Sequence, residues 1–169
     1  RVAKRMKKAA GVSLRVNPGV DPHTHHHIAT GKAESKFGME MELAEKIFLN
    51  RSHYSGLLIS GIHVHIGSQI TFGEPFVEAF RKVLAFIDQL EKKGVKIKYL
   101  NLGGGLGVIY STETPQTADE FAKKILPLFR GRKLQIIFEP GRFISANGGI
   151  LVGRVLYIKQ TKVKNFAIV

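Results

Sequence analysis

Three consecutive glycines, Gly103, Gly104 and Gly105, form the first segment of the sequence with a residue pattern suited to binding an anion. They follow a short run of strand-forming residues. Glycine lacks a Cβ, so successive backbone N–H groups can approach a phosphate closely at the end of a strand. A tight turn explains such a triplet almost equally well. No Gly-Lys-Ser/Thr sequence follows, so the segment is not a Walker loop.

Two histidines spaced two residues apart, His63 and His65, form the second segment. Side chains alternate between the two faces of a strand, so both imidazoles are expected on one face and their aliphatic neighbours on the other. The pair could serve an active site, bind a metal or be structural. A metal-dependent barrel hydrolase needs further ligands, and the sequence offers no later histidine and only Glu139 at a later strand end. We therefore expect no metal site.

The third segment is Glu139, Pro140, Gly141 and Arg142, at the end of an apolar strand. A carboxylate and a guanidinium at this place suit a site that binds a cationic and an anionic group together. Mutual pairing of Glu139 with Arg142 is the alternative. The three segments together match pyridoxal 5′-phosphate (PLP), which has a phosphate, a flat ring and a ring nitrogen that can be protonated.

The chemistry of PLP assigns a partner to each of its parts. Glycine N–H groups, Ser68 and Arg142 suit the phosphate, and an imidazole could stack on the ring. Glu139 would hold the proton on the ring nitrogen, and a protonated ring is the strong electron sink that carbanion chemistry requires. The sequence therefore predicts PLP as the cofactor.

Strand and helix patterns alternate along most of the chain, as parallel βαβ units require. Strands are predicted at residues 12–16, 61–66, 97–102 and 134–138. Helices are predicted at residues 40–50, at residues 75–93 and after a capping box at Thr117, where Pro127 should kink or shorten the helix. Residues 1–148 would supply about four βα units, half of a closed (β/α)8 barrel of roughly 250 residues. Strands at 150–159 and 163–169 would begin a separate β domain at residue 149.

The composition of the 169 residues is that of an ordinary globular chain, with 44% hydrophobic residues and a net charge of +13. No apolar run could cross a bilayer, so no membrane partner is expected. The absence of cysteine and of a signal-peptide pattern predicts a cytoplasmic protein. The basic residues are dispersed, which favours solvated faces over nucleic-acid binding. The histidine-rich run at residues 23–27 is interpreted as a polar loop.

Five segments occur in an order that resembles one enzyme family. They are residues 15–18, residues 30–32 with 35–38, residues 63–69, residues 102–105 and residues 139–142. In this order they are similar to the alanine-racemase-fold (fold type III) PLP-dependent decarboxylases, over essentially the whole chain. Residues 61–69 and 146–151 resemble the diaminopimelate decarboxylase branch more than the ornithine or arginine decarboxylase branches.

The resemblance implies a role for individual residues. Glu139 and His65 would be the catalytic residues, since Glu139 would meet the ring nitrogen and His65 would stack on the ring. Arg142 would bind the substrate as well as the cofactor, and no role is implied for His63. The implied cofactor contacts are His65, Ser68, Gly103, Gly104, Gly105, Glu139, Pro140, Gly141 and Arg142.

The activity implied by the resemblance is PLP-dependent decarboxylation of meso-2,6-diaminopimelate to L-lysine, the last step of lysine biosynthesis, in a homodimer. Alternatives are an ornithine, arginine or carboxynorspermidine decarboxylase, or a basic binding fragment without catalysis. The Schiff-base lysine of the family would precede Arg1, and Lys36 does not replace it. The β domain of the family would continue past Val169. We therefore expect the chain to be the C-terminal half of the barrel and to be inactive by itself.

Overall fold

A parallel sheet of four strands dominates the computed structural model, which describes residues 2–22 and 36–169. The strands are β1 (Ala10–Arg15), β2 (Leu57–His63), β3 (Tyr99–Asn101) and β4 (Gln135–Ile137). They are adjacent in chain order and parallel throughout. At their carboxyl ends Arg15 pairs with His63, His63 with Asn101, and Asn101 with Ile137. These carboxyl ends therefore form one edge of the sheet.

In the described part of each connection, one α-helix lies between a strand and the next. The connecting helices are α2 (Met41–Leu49), α3 (Glu74–Lys92) and α4 (Ala118–Phe129). Shorter helical segments are α1 (Val2–Arg5), a 3-10 turn (Arg51–His53) and α5 (Gly141–Ser145), which follows β4. The apolar stripe of α3 is buried along its whole length. Its Phe76 meets Phe121 of α4 edge-to-face with ring centroids 5.1 Å apart, an arrangement that aromatic pairs favour.

The hydrophobic core lies between the helices and one face of the sheet. Ile62, Val64 and Leu100 are fully buried on this face. Because side chains alternate along a strand, His63 and Asn101 lie on the opposite face. That face also carries exposed apolar side chains, such as Tyr99 and Ile137. The polar residues at the strand ends therefore project away from the packed core.

The structure confirms the predicted alternation of helix and parallel strand, with shorter elements in places. Strand β2 ends at His63, so His65 lies in the following loop. Both hydrogen bonds of the predicted capping box, between Thr117 and Glu120, are present. Helix α4 continues through Pro127 and ends two residues later, at Phe129, and the kink predicted at Pro127 stays a prediction. The proline has no backbone N–H, so α4 lacks the hydrogen bond that this position would otherwise donate to the carbonyl of Lys123.

The C-terminal residues form an antiparallel hairpin of β5 (Tyr157–Gln160) and β6 (Asn165–Ile168). The strands predicted at 150–159 and 163–169 are thus shorter than expected. That residues 1–148 belong to a closed barrel and that 149–169 begin a β domain stay predictions. The histidine run at 23–27 lies outside the described residues, and so do residues 30–32 and 35 of the family segment at 30–32 and 35–38. Of the helices described, none has the length and apolar character needed to cross a membrane.

Candidate cofactor site

The three segments singled out in the sequence meet at the carboxyl edge of the sheet. The histidine segment follows β2, the glycine loop follows β3 and Glu139 follows β4. The N–H of Gly104 donates to Nδ1 of His65 over 3.2 Å. The N–H of Glu139 donates to the carbonyl of Gly103 over 2.8 Å. The fold therefore brings together three segments that are far apart in the sequence.

Close backbone packing explains why the loop after β3 consists of glycine. A Cβ on Gly104 would overlap the carbonyl oxygen of Glu139, and a Cβ on Gly103 would overlap that of Val64. Gly103 and Gly105 also have φ of +67° and +109°, values that favour glycine strongly. The loop thus lies flush against the ends of β2 and β4, which is a structural reason for glycine independent of any ligand.

Two amides of this loop already donate to side chains. The N–H of Gly103 donates to Oδ1 of Asn101 over 2.9 Å, and that of Gly104 donates to His65. Binding of a phosphate by the loop therefore stays a prediction. It would use other N–H groups, or it would require these two bonds to be exchanged.

The carboxylate of Glu139 is held in place and yet open to solvent. Its Oε1 accepts a hydrogen bond of 2.6 Å from Nδ2 of Asn101, and its Oε2 lies 4.0 Å from Nε2 of His63. The side chain is 52% exposed. Arg15, at the end of β1, donates to the carbonyl of His65 over 3.4 Å and attracts Glu139 electrostatically. A ligand at this edge would meet an oriented carboxylate.

Burial keeps both histidines neutral at neutral pH. It is the main cause of the lowered pKa of His63 and of His65, the nearby charge of Arg15 lowers both further, and Glu139 opposes the shift. Nδ1 of His65 accepts from Gly104, so it carries no proton and the hydrogen is on Nε2. Nε2 of His63 is buried and has no hydrogen-bond partner among the described residues.

Arg142 lies at the same edge and contacts two hydroxyl groups. Its Nε donates to Oγ of Ser68 over 3.1 Å, and its Nη1 donates to the hydroxyl oxygen of Tyr110 over 2.8 Å. The guanidinium also lies over the Tyr110 ring, 5.7 Å from the centroid. The partners of Glu139 are different ones, so the alternative in which Glu139 and Arg142 pair with each other does not describe this structure.

Three residues of this edge were missed as site residues by sequence reasoning. Asn101 precedes the glycine triplet directly, and Arg15 lies in one of the family segments, so both had a local signal. Tyr110 had none, because it reaches Arg142 from a loop 32 positions away. The described residues contain no group of three histidine, aspartate or glutamate side chains that could hold a metal ion.

The donor set fits PLP as the sequence predicted it. An exposed carboxylate is available for the ring nitrogen, and a neutral imidazole can pack against a ring. The guanidinium of Arg142 and the hydroxyl of Ser68 lie in hydrogen-bond contact and can bind a phosphate together. These residues therefore suit each of the three parts of the cofactor.

Comparison with known proteins identifies homologues along the whole chain. Residues 1–146 match the family model described as pyridoxal-dependent decarboxylase, pyridoxal binding domain. The chain is 46% identical over 169 residues to diaminopimelate decarboxylase of Pseudomonas aeruginosa, covering 100% of this chain and 41% of that protein. It is 45% identical over 168 residues to the Haemophilus influenzae protein of the same name, covering 99% and 40%.

Solved structures agree with these relatives. Diaminopimelate decarboxylase from Helicobacter pylori, complexed with L-lysine, superimposes with a TM-score of 0.85 at 38% identity, over 98% of this chain and 42% of that one. The chain thus spans about two fifths of the length of the relatives it matches. The family resemblance read from the sequence is confirmed. The chain belongs to the pyridoxal-dependent decarboxylases, and residues 1–146 correspond to their pyridoxal binding domain.

Proposed function

We propose that this chain forms the cofactor-binding part of an enzyme that decarboxylates meso-2,6-diaminopimelate to L-lysine. The observation that carries the proposal is the oriented, exposed carboxylate of Glu139 beside the neutral imidazole of His65. The relatives at 40–46% identity are named diaminopimelate decarboxylase, and three of the structural neighbours were solved with L-lysine bound. Both facts support this substrate over ornithine or arginine.

Glu139 would hold a proton on the ring nitrogen. PLP, when bound, supplies an electron sink for the pair of electrons left when the bond between Cα and the carboxylate breaks. An anionic carboxylate next to the ring nitrogen stabilises the protonated ring, and Asn101 fixes the direction of that carboxylate. His65 would pack against the ring as a neutral imidazole, which adds no competing positive charge.

The remaining predicted contacts would bind anionic groups. Ser68 and Arg142 would hold the phosphate, and Arg142 would also serve the substrate carboxylate. Pro140 is the N-cap residue of α5 and Gly141 is its first residue, and they follow β4 in a turn in which the N–H of Gly141 donates to the carbonyl of Glu139 over 2.8 Å. This turn places the carboxylate and the guanidinium at the same edge.

We also propose that the chain is one half of a barrel followed by the start of a β domain. Four parallel βα units with an exposed inner face, in a chain that covers two fifths of its relatives, support the C-terminal half of a (β/α)8 barrel. Residues 149–169 would then begin the β domain. A cytoplasmic homodimer is part of the same proposal and follows from the resemblance.

The test uses the full-length protein that contains this chain, purified with PLP. We expect CO₂ release from meso-diaminopimelate in preference to ornithine, arginine and lysine. The variant Glu139→Gln should keep bound PLP but lose about a hundredfold in kcat, roughly 3 kcal/mol, because a neutral amide cannot stabilise the protonated ring. The control Glu78→Gln removes an exposed carboxylate on α3 and should have parent activity. Preferred turnover of ornithine or arginine, or an active Glu139→Gln variant, would overturn the proposal.

A further inference from the structure

We propose that Tyr110 is a ligand for an oxyanion at the carboxyl edge of the sheet, together with Ser68 and Arg142. The inference rests on the proposed function, since the anion is either the phosphate of the cofactor or a carboxylate of the substrate. No motif in the sequence pointed to Tyr110. Its position in the structure is the reason for the proposal.

The hydrogen bonds of Arg142 leave two hydroxyl groups with a proton to donate. A guanidinium only donates, so the oxygens of Ser68 and Tyr110 are both acceptors toward Arg142. Each hydroxyl has one hydrogen, which must then point to a different acceptor. One positive charge with two outward hydroxyl donors is an arrangement that an anion satisfies well, through charge-assisted hydrogen bonds.

The charge of Arg142 also lacks an anionic partner within residues 2–22 and 36–169. Among the residues that the structure describes, no carboxylate lies within 4.0 Å of its guanidinium, whereas Arg132 pairs with Asp88 through two hydrogen bonds of 2.6 and 3.0 Å. Both of the contacts that hold Arg142 are neutral hydroxyls. An anionic ligand would supply the opposite charge.

The backbone on both sides of Tyr110 is fixed. The side-chain amide of Gln69 donates to the carbonyl of Val108 over 2.6 Å and accepts from its N–H over 3.1 Å. The carboxylate of Glu113 accepts from the N–H of Tyr110 over 3.0 Å. Tyr110 is nevertheless 58% exposed. The residue is thus held by backbone contacts on either side, and a ligand can approach its side chain from solvent.

The experiment compares Tyr110→Phe with the parent in the full-length protein. This variant removes one hydroxyl and retains the ring against Arg142. Dissociation constants of the apoprotein are measured for PLP, for pyridoxal (which lacks the phosphate) and for L-lysine, with KM for diaminopimelate as the activity measurement. The control Tyr54→Phe removes a hydroxyl near the amino end of β2, at the opposite edge of the sheet.

Two results would support the proposal, and each identifies the anion. If it is the phosphate, the Kd for PLP rises about tenfold, as expected for a lost hydrogen bond to a charged group, while the Kd for pyridoxal does not change. If it is the carboxylate, the Kd for L-lysine and the KM rise by a similar factor and the Kd for PLP does not. Unchanged values for both ligands overturn the inference. A parent protein that neither prefers PLP to pyridoxal nor turns over diaminopimelate overturns instead the proposed function.

Discussion

Asn101 donates a hydrogen bond of 2.6 Å from its side-chain amide to Oε1 of Glu139. The other end of the same amide, Oδ1, accepts the N–H of Gly103 over 2.9 Å. Since a backbone N–H can only donate, Oδ1 must face the loop, and the NH₂ group must therefore face the carboxylate. The amide has one productive orientation, and it ties the carboxylate of β4 to the glycine loop of β3.

Replacing Asn101 with alanine should disturb the cofactor site without unfolding the protein. A hydrogen bond to a charged group contributes about 1.5–3 kcal/mol, so we expect kcat and the affinity for PLP to fall at least about tenfold in total. Both are measured in the full-length protein. The control Asn50→Ala removes an exposed amide that bonds only to the carbonyl of Lys46 on α2. If Asn101→Ala keeps the kcat and the PLP affinity of the parent protein, Glu139 does not need the hydrogen bond from Asn101.

Lowered histidine pKa values predict that acid destabilises the protein. Burial lowers the pKa of His63 and His65 from the ordinary value of about 6.5, so the unfolded chain binds more protons below that pH than the folded one. The stability that the neutral histidines contribute is therefore complete above about pH 6.5 and is lost as the pH falls below it. Urea unfolding at about pH 7.5, 6 and 5 measures this decline.

The double variant His63→Gln and His65→Gln tests whether these two residues cause the decline. It should flatten the dependence of the unfolding free energy on pH in the acid range. The variant His53→Gln is the control, because it makes the same substitution at an exposed histidine outside the sheet. A slope that is equally steep in the double variant would assign the acid sensitivity to other groups.

Alanine at Gly104 should destabilise the fold. The new Cβ would overlap the backbone carbonyl of Glu139, which cannot move without shifting the end of β4. Overpacking of this kind costs about 1–3 kcal/mol, measurable as a lower urea midpoint. Gly141→Ala is the matched control for stability, because no atom lies within 4 Å of its new Cβ. Equal midpoints for the two variants would contradict the close packing of the loop.

Replacing Gln69 with leucine should make the loop that carries Tyr110 more mobile. Both hydrogen bonds between the Gln69 amide and Val108 would be lost, although the size of the side chain would be nearly kept. We expect the backbone amide of Val108 to exchange its hydrogen about tenfold faster, or more, by mass spectrometry or NMR. Gln89→Leu, at an exposed position of α3, should leave that rate unchanged.

Local patterns in the sequence were sufficient for the element types and for the three segments of the site. The spacing of apolar residues marked α3, and the capping box marked the start of α4. The end of β2 could not be read in this way. Its ladder to β3 stops at the pair of His63 with Asn101, so the partner strand, and not its own residues, determines where it ends.

Contacts between distant segments account for the rest. Asn101 meets Glu139 across 38 positions and Tyr110 meets Arg142 across 32. The spacing of residues within one segment does not predict a contact with another segment more than 30 positions away. Sequence reasoning therefore selected segments that the structure brings to one edge of the sheet, but it could not list the side chains that hold the named residues in place.

The order of the strands also bears on the folding pathway. The strands pair in the order in which they occur, with partners 36 to 48 positions apart. Loop-closure entropy varies only with the logarithm of this separation, so it differs by about 0.2 kcal/mol among the three pairings. Because this difference is small, the burial of apolar surface determines which contacts form first in the folding transition state. Since α3 has the largest buried face, we expect the highest φ-values at Val83 and Ile87, where α3 packs in the core.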